Sequence, residues 1–167
     1  MERYLAGDHR AFDEIFRRYG PRLFGWFRRS ALSDAVSHDL VQQTFLHFHR
    51  ARADFRPGAA VRPWLFAIGA NVRREYFRKY QRLARERPLD DAPEPAQAPD
   101  VAGAEQRAVR RALESLPDAS REVVVLHWYE GFTFAEIGDL VGASTSAVKV
   151  RAHRAYRKLR DVLGGGV

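Results

Sequence analysis

The sequence predicts an all-α chain made of two small helical domains. Three observations lead there. Apolar residues recur at helical spacing in both halves, neither half shows sustained period-two alternation, and β-branched residues are sparse. Between the halves the composition breaks once, at residues 84–103, ARERPLDDAPEPAQAPDVAG. Pro88, Pro93, Pro95 and Pro99 stand there with Asp90, Asp91, Glu94 and Asp100, and large apolar residues are nearly absent. Such a segment buries too little surface to offset its ordering entropy, so it reads as an extended, semi-stiff linker. The domains are then residues 1–83 and 104–167, each with its own small core.

In the first domain, Phe12, Ile15, Phe16, Tyr19, Leu23 and Phe27 form one amphipathic stripe. Gly20-Pro21 interrupts it, ending one helix and opening the next. A further helix begins near Ser33 or Asp34, both good caps, and carries Leu40, Val41, Thr44, Phe45 and Phe48. Arg56-Pro-Gly-Ala-Ala is a loop by its turn residues. A third helix covers about residues 62–82, with Leu65, Ile68, Val72 and Tyr76 inward. Gly69 inside it costs about 1 kcal/mol relative to Ala, which points to a closely packed neighbour.

In the second domain, helices are expected over about residues 104–115 and 118–129, with Glu130-Gly131 as a stop. Thr133 and Glu136 form a capping box for the next helix, Gly142-Ala143-Ser144 is a tight connection, and a last helix runs over about residues 145–163 before a Gly164-Gly165-Gly166 end.

Residues 133–159, TFAEIGDLVGASTSAVKVRAHRAYRKL, have the parts of a helix-turn-helix. Ile137 and Leu140 pack the first helix, Gly138 is the small residue at the crossing, and Gly142 permits a positive φ in the turn. Val148, Ala152, Ala155 and Leu159 face inward on the second helix. Its remaining surface carries Lys149, Arg151, His153, Arg154, Arg157 and Lys158. Early residues of such a helix reach base edges in the major groove, and later cations suit phosphates. A charge run alone is usually a solvated face. The cap, the small crossing residue and the turn glycine at compatible spacing favour DNA.

The third helix of the first domain has a different chemistry. Arg73, Arg74, Arg78, Lys79 and Arg82 alternate with Tyr76, Phe77 and Tyr80. Cations that follow a backbone and aromatic faces that stack on bases hold single strands. Phe66, Trp64 and Tyr76 read as core, whereas Asn71, Phe77 and Tyr80 fit the core stripe less well. The DLVQQTF helix, residues 39–45, offers a polar, weakly charged face suited to a protein contact or to plain surface.

Composition bounds the rest. There are 28 Lys and Arg against 21 Asp and Glu, a net +7, which favours a polyanionic partner, nucleic acid or an anionic membrane surface. No cysteine is present, which excludes disulfides and cysteine-held zinc. No apolar run approaches the length of a membrane span and no signal peptide is evident, so a cytoplasmic location without membrane insertion is expected. No phosphate loop, nucleophile triad or metal spacing stands out, and His47 and His49 are two apart on a helix and face different ways. Neither enzyme nor cofactor is expected.

DLVQQTF, then WLFAIGANVRREYFRKYQR, then LPDASREVVVLHWYEGFTFAEIGDLVGASTSAVKVRAHRAYRKLR resemble, in order, the extracytoplasmic-function sigma factors of bacterial RNA polymerase. The resemblance implies roles. Asp39, Leu40, Gln42, Gln43, Thr44 and Phe45 would bind core polymerase at the β′ clamp helices. Asn71, Arg73, Arg74, Phe77, Arg78 and Tyr80, with the loop at about residues 53–62, would open the −10 region and hold its single strand, with a flipped base. Ser144, Thr145, Ser146, Lys149, Val150, Arg151, His153, Arg154 and Arg157 would read the −35 element. The linker would thread toward the RNA exit path, the β flap would be a second polymerase contact, and an anti-sigma factor would hold the protein inactive. This sequence departs from the family's usual acidic residue at Gln43 and a common Asp at Glu75. It also has Ser146-Ala-Val-Lys-Val150 for a more usual Gly-Thr-Val-Lys-Ser, and Ala152 for a larger apolar residue. The alternative is a helix-turn-helix regulator that acts without core polymerase, although no cluster of aspartates forms a phospho-acceptor pocket.

Overall fold

The computed structural model describes residues 1–30, 32–86 and 103–164, with the side chains of 84–86 left aside. Most of the expected linker therefore lies outside the described residues. Helix α1 (Glu2–Leu5) leads into α2 (His9–Arg29) and α3 (Asp34–Arg50). A single 3-10 turn (Ala51–Asp54) and a loop precede α4 (Val61–Glu86). The second half holds α5 (Ala104–Glu114), α6 (Asp118–Trp128), α7 (Phe134–Val141) and α8 (Thr145–Gly164). The fold is all-α, and among the described residues no helix is long and apolar enough to cross a membrane.

Local chemistry sets several helix ends. Asp8 caps α2 by accepting from the Arg10 N–H, and Ser33 caps α3 by accepting from the Val36 N–H. Thr133 and Glu136 close the expected capping box on α7, and Gly142 ends that helix at φ 68°.

The break expected at Gly20-Pro21 does not occur: α2 runs through Pro21 without interruption. Pro21 is exposed, so solvent can take the hydrogen bond that its ring cannot give. On the opposite face Ile15, Leu23, Trp26 and Phe27 are buried along the whole helix, and burial of one long stripe outweighs a local loss of about 3 kcal/mol.

Helices α2, α3 and α4 pack around Trp26, Phe27, Leu40, Phe48, Leu65 and Phe66, all at most 1% exposed. Gly69 is the close approach between α2 and α4. A Cβ there would lie 3.1 Å from Trp26 Cζ3 and 3.3 Å from Leu23 Cδ2.

The two halves do not keep separate cores. One buried cluster runs from Tyr4 through α2–α4 into Val123, Leu126, Phe132, Ile137, Leu140 and Val148, and a small second cluster lies in the C-terminal half. Phe132, in the turn between α6 and α7, makes the join. Its ring meets Phe66 edge-on at 5.1 Å, and the Arg62 guanidinium lies 4.0 Å above it. Polar contacts ring this plug. Arg22 Nε donates to Glu130 at 2.9 Å and Arg22 Nη2 to the Glu130 carbonyl at 3.2 Å. Arg29 stacks over Tyr129 at 4.0 Å, and Arg121 donates to the Ser30 carbonyl at 3.3 Å. Arg121 also donates to the carbonyls of Leu113, Glu114 and Leu116, so one buried guanidinium ties the α5–α6 turn to the first half.

Two outcomes test this packing. A Cβ at Gly138 would lie 2.7 Å from the Ala143 carbonyl oxygen, which is backbone and cannot swing away. Gly138→Ala is expected to cost about 1–3 kcal/mol in denaturant unfolding. Burial pushes the Glu130 carboxyl above its ordinary range, outweighing the attraction of Arg22, Arg29 and Arg62. The folded state therefore takes up Glu130's proton at higher pH than the unfolded chain, so its contribution to stability is present at acid pH and lost as pH rises through the shifted value. Glu130→Gln, which leaves the half-exposed Arg22 free to hydrate, should make the protein at least as stable as wild type at neutral pH, and the gap should close on acidification. A gap that widens toward low pH would show the opposite sign.

Candidate nucleic-acid and polymerase interfaces

Helices α7 and α8 form the helix-turn-helix. The crossing is tight because Gly138 sits against the turn, and Ser144 Oγ accepts from the Ala147 N–H to cap α8. Val148, Ala152 and Ala155 are buried under it. The outward face follows from the period. Val150, two residues and about 200° from Val148, is central on the side away from the core, flanked by Ser146, His153, Arg154 and Arg157. Ser144, Thr145, Ser146, Lys149, Val150, His153, Arg154 and Arg157 are all exposed, and Arg151 is half-buried, its charge acting weakly on Glu122. Eight of the nine residues expected at the −35 element thus share one accessible region, with Ser144 partly committed as a cap.

The α4 face is assembled differently. Asn71, Arg78 and Tyr80 are exposed, and Tyr80 stacks on Tyr76 at 6.3 Å. Phe77 is half-buried, with the Arg73 guanidinium 4.8 Å from its ring centroid. Arg73 itself is only 2% exposed. It bridges to Asp118 at 2.5 Å and to Glu122 at 3.1 Å, both on α6, and its Nε donates to Ser30 Oγ at 3.2 Å. Arg74 is exposed but turns its guanidinium back on the chain, donating to the Leu140 carbonyl at 3.1 Å and to Asn71 Oδ1. Of the six residues expected to hold a single strand, the fold leaves Asn71, Arg78 and Tyr80 exposed and engages Arg73 and Arg74 with the other half.

Burial holds the Glu122 carboxyl above its ordinary range, although Arg73 pulls it down, as do Arg74 and Arg151, while Asp118 adds to the rise. The same burial lowers the pKa of the Arg121 guanidinium. Sequence reading missed Glu122, Asp118 and Arg121. A charged residue inside an amphipathic stripe was the available signal, but its partners lie far away in the chain.

On α3, Asp39, Gln42 and Gln43 are exposed, and Gln43 Nε2 donates to Asp39 Oδ2 at 2.7 Å. Leu40, Thr44 and Phe45 are at most 4% exposed, with Thr44 Oγ1 donating to the Leu40 carbonyl at 2.7 Å. These three hold the helix in place and cannot themselves meet a partner. Two apolar residues not expected at this contact stand on this side, Leu46 and Phe16, the latter expected on the inward stripe of its helix. Leu46 shares the α3 face of Gln42 and Gln43, three and four residues on, and is 47% exposed. Phe16, 44% exposed, lies 4.7 Å from Phe45 by ring centroids.

Comparison with known proteins matches these features. Residues 15–83 fit the family model for sigma-70 region 2, and residues 112–161 fit that for sigma-70 region 4. The chain is 40% identical over 166 residues to the RNA polymerase sigma factor CarQ of Myxococcus xanthus, covering 98% of this chain and 95% of that protein. It is 33% identical to the ECF sigma factor SigM of Mycobacterium tuberculosis, over 96% of this chain and 81% of SigM. The solved structure of CnrH in complex with the cytosolic domain of CnrY superposes at a TM-score of 0.72, with 31% identity, over 97% of this chain and 93% of that one. The chain belongs to the sigma-70 family, as a non-enzymatic RNA polymerase sigma factor of the extracytoplasmic-function type.

Proposed function

We propose how the residues divide the work of a factor that binds core RNA polymerase and directs it to promoters. Residues 1–83 bind core and open the −10 region, and residues 104–167 read the −35 element, with 84–103 between them as a linker. Asp39, Gln42 and Gln43, with Leu46 and Phe16 beside them, present the surface for the β′ clamp helices, and the β flap meets the second half. Asn71, Arg73, Arg74, Phe77, Arg78 and Tyr80 take the non-template strand. The observation that carries this reading is the pairing of two unlike faces on one chain: the exposed α8 face has cations and no Phe, Tyr or Trp, as suits a duplex, and the α4 face has cations with Phe77 and Tyr80. Polymerase places the protein in the cytoplasm. An anti-sigma partner is proposed by analogy with CnrH, which was solved with CnrY.

The direct test is run-off transcription on pooled genomic DNA with purified core polymerase. Discrete starts that need both components are expected. Specific duplex binding by the protein alone, with no such starts, would favour a stand-alone regulator.

Two further outcomes address α8. Lys149→Ala or Arg154→Ala should weaken promoter use by about 1–3 kcal/mol where the side chain grips a guanine, whereas Arg157→Ala on a phosphate should lower the salt slope by about one unit. Val150 is 49% exposed at the centre of this face and cannot donate or accept a hydrogen bond. Its natural complement in the major groove is a thymine methyl. Deoxyuridine in place of one −35 thymidine should weaken binding of the wild type and leave Val150→Ser indifferent; equal losses in both would remove Val150 from the reading.

A further inference from the structure

We propose that the free chain shuts its own single-strand site, with Asp118 and Glu122 standing on Arg73 where a DNA phosphate would stand. The inference rests on the reading of α4 given above and concerns the regulation of that site.

Arg73 is the innermost cation of the α4 face, and in the closed arrangement all its outward bonds are taken. Asp118 and Glu122 hold its two terminal nitrogens and Ser30 its Nε. A carboxylate pair is the nearest side-chain substitute for a phosphate: both are anionic and both accept from a guanidinium fork. Arg74 is held in parallel by the Leu140 carbonyl. Both acceptors come from the C-terminal half, so a strand can reach this part of α4 only when the halves part.

The interface is built to part. Among the described residues, Arg62 Nε is buried beside the Phe132 plug with no hydrogen-bond partner. Burial also raises the pKa of Glu122 and Glu130, so their ion pairs with Arg73 and Arg22 form at a desolvation cost. Each of these groups would gain from water, which offsets part of what the plug contributes. Closure is also selective. The outward face of α8 stays exposed, so duplex reading is left open while single-strand binding is blocked.

The sequence holds no cysteine, so a pair introduced at the exposed Arg17 and Asp161 takes dyes without background for interdomain energy transfer. Anisotropy with a random-sequence single-stranded DNA and a random duplex gives the second readout. Wild type is expected to show high transfer that falls as single strand is added. Phe132→Ala removes the plug without changing a charge or a proposed DNA contact. It should start at low transfer and bind single strand about tenfold more tightly, as follows if about a tenth of the free wild type is open. Duplex binding should be unchanged, and adding Arg73→Ala should erase the gain. Glu130→Lys, which sets a cation against Arg22, Arg29 and Arg62, opens the chain by repulsion and serves if Phe132→Ala fails to fold. Low transfer in the free wild type, single-strand binding with transfer undiminished, or an open variant with no single-strand gain would each overturn the proposal. Core-dependent run-off by the unsubstituted chain reports the promoter function separately, so the two can fail independently.

Discussion

The arrangement depends on one side chain crossing between halves. Phe132 leaves the α6–α7 turn and enters the first half against Phe66, under the Arg62 guanidinium. Gly131, at φ 69°, lets the chain turn sharply enough just before it to aim that ring outward from its own helices. Once the ring is seated, Glu130 falls on Arg22, Tyr129 under Arg29, and the start of α6 over Arg73. The ion pairs alone would contribute little, because paired charges that leave water recover only part of their desolvation cost. The apolar plug supplies the attraction, and the charges fix the orientation.

This geometry gives the two nucleic-acid faces unequal access. Helix α8 lies with its buried stripe on α5, α6 and α7 and its basic side to solvent, and the contact between halves does not reach that side. Helix α4 has its N-terminal turns in the shared core, and the Arg73 turn lies at the edge of the contact, where α6 and α7 both touch it. A long helix that is core at one end and binding surface at the other passes through a boundary, and Arg73 stands on that boundary.

Much of the fold was legible in the sequence because it is set locally. The Ser33 cap, the Thr133–Glu136 box and the positive φ of Gly142 each depend on residues within four positions. Gly69 and Gly138 were legible as close approaches because a glycine inside a helix calls for a neighbour. The misreading of Pro21 was a local rule overridden by a distant one, the burial of a stripe that continues on both sides. The site was legible by residue type and less so by access. The period of α3 does not say how many of Leu40, Thr44 and Phe45 the other helices will cover. Nor could Arg73 be separated from Arg78, since one meets Glu122, 49 positions later in the chain, and the other meets its neighbour Glu75.

The central claim is that the two halves share one core in the free protein. Small-angle X-ray scattering of the isolated, monodisperse chain tests it most directly. A single packed body of this length has a radius of gyration of about 15 Å. The account predicts a value near that, with a pair-distance distribution of one maximum. A clearly larger radius with a second shoulder, as two separated lobes would give, would contradict it.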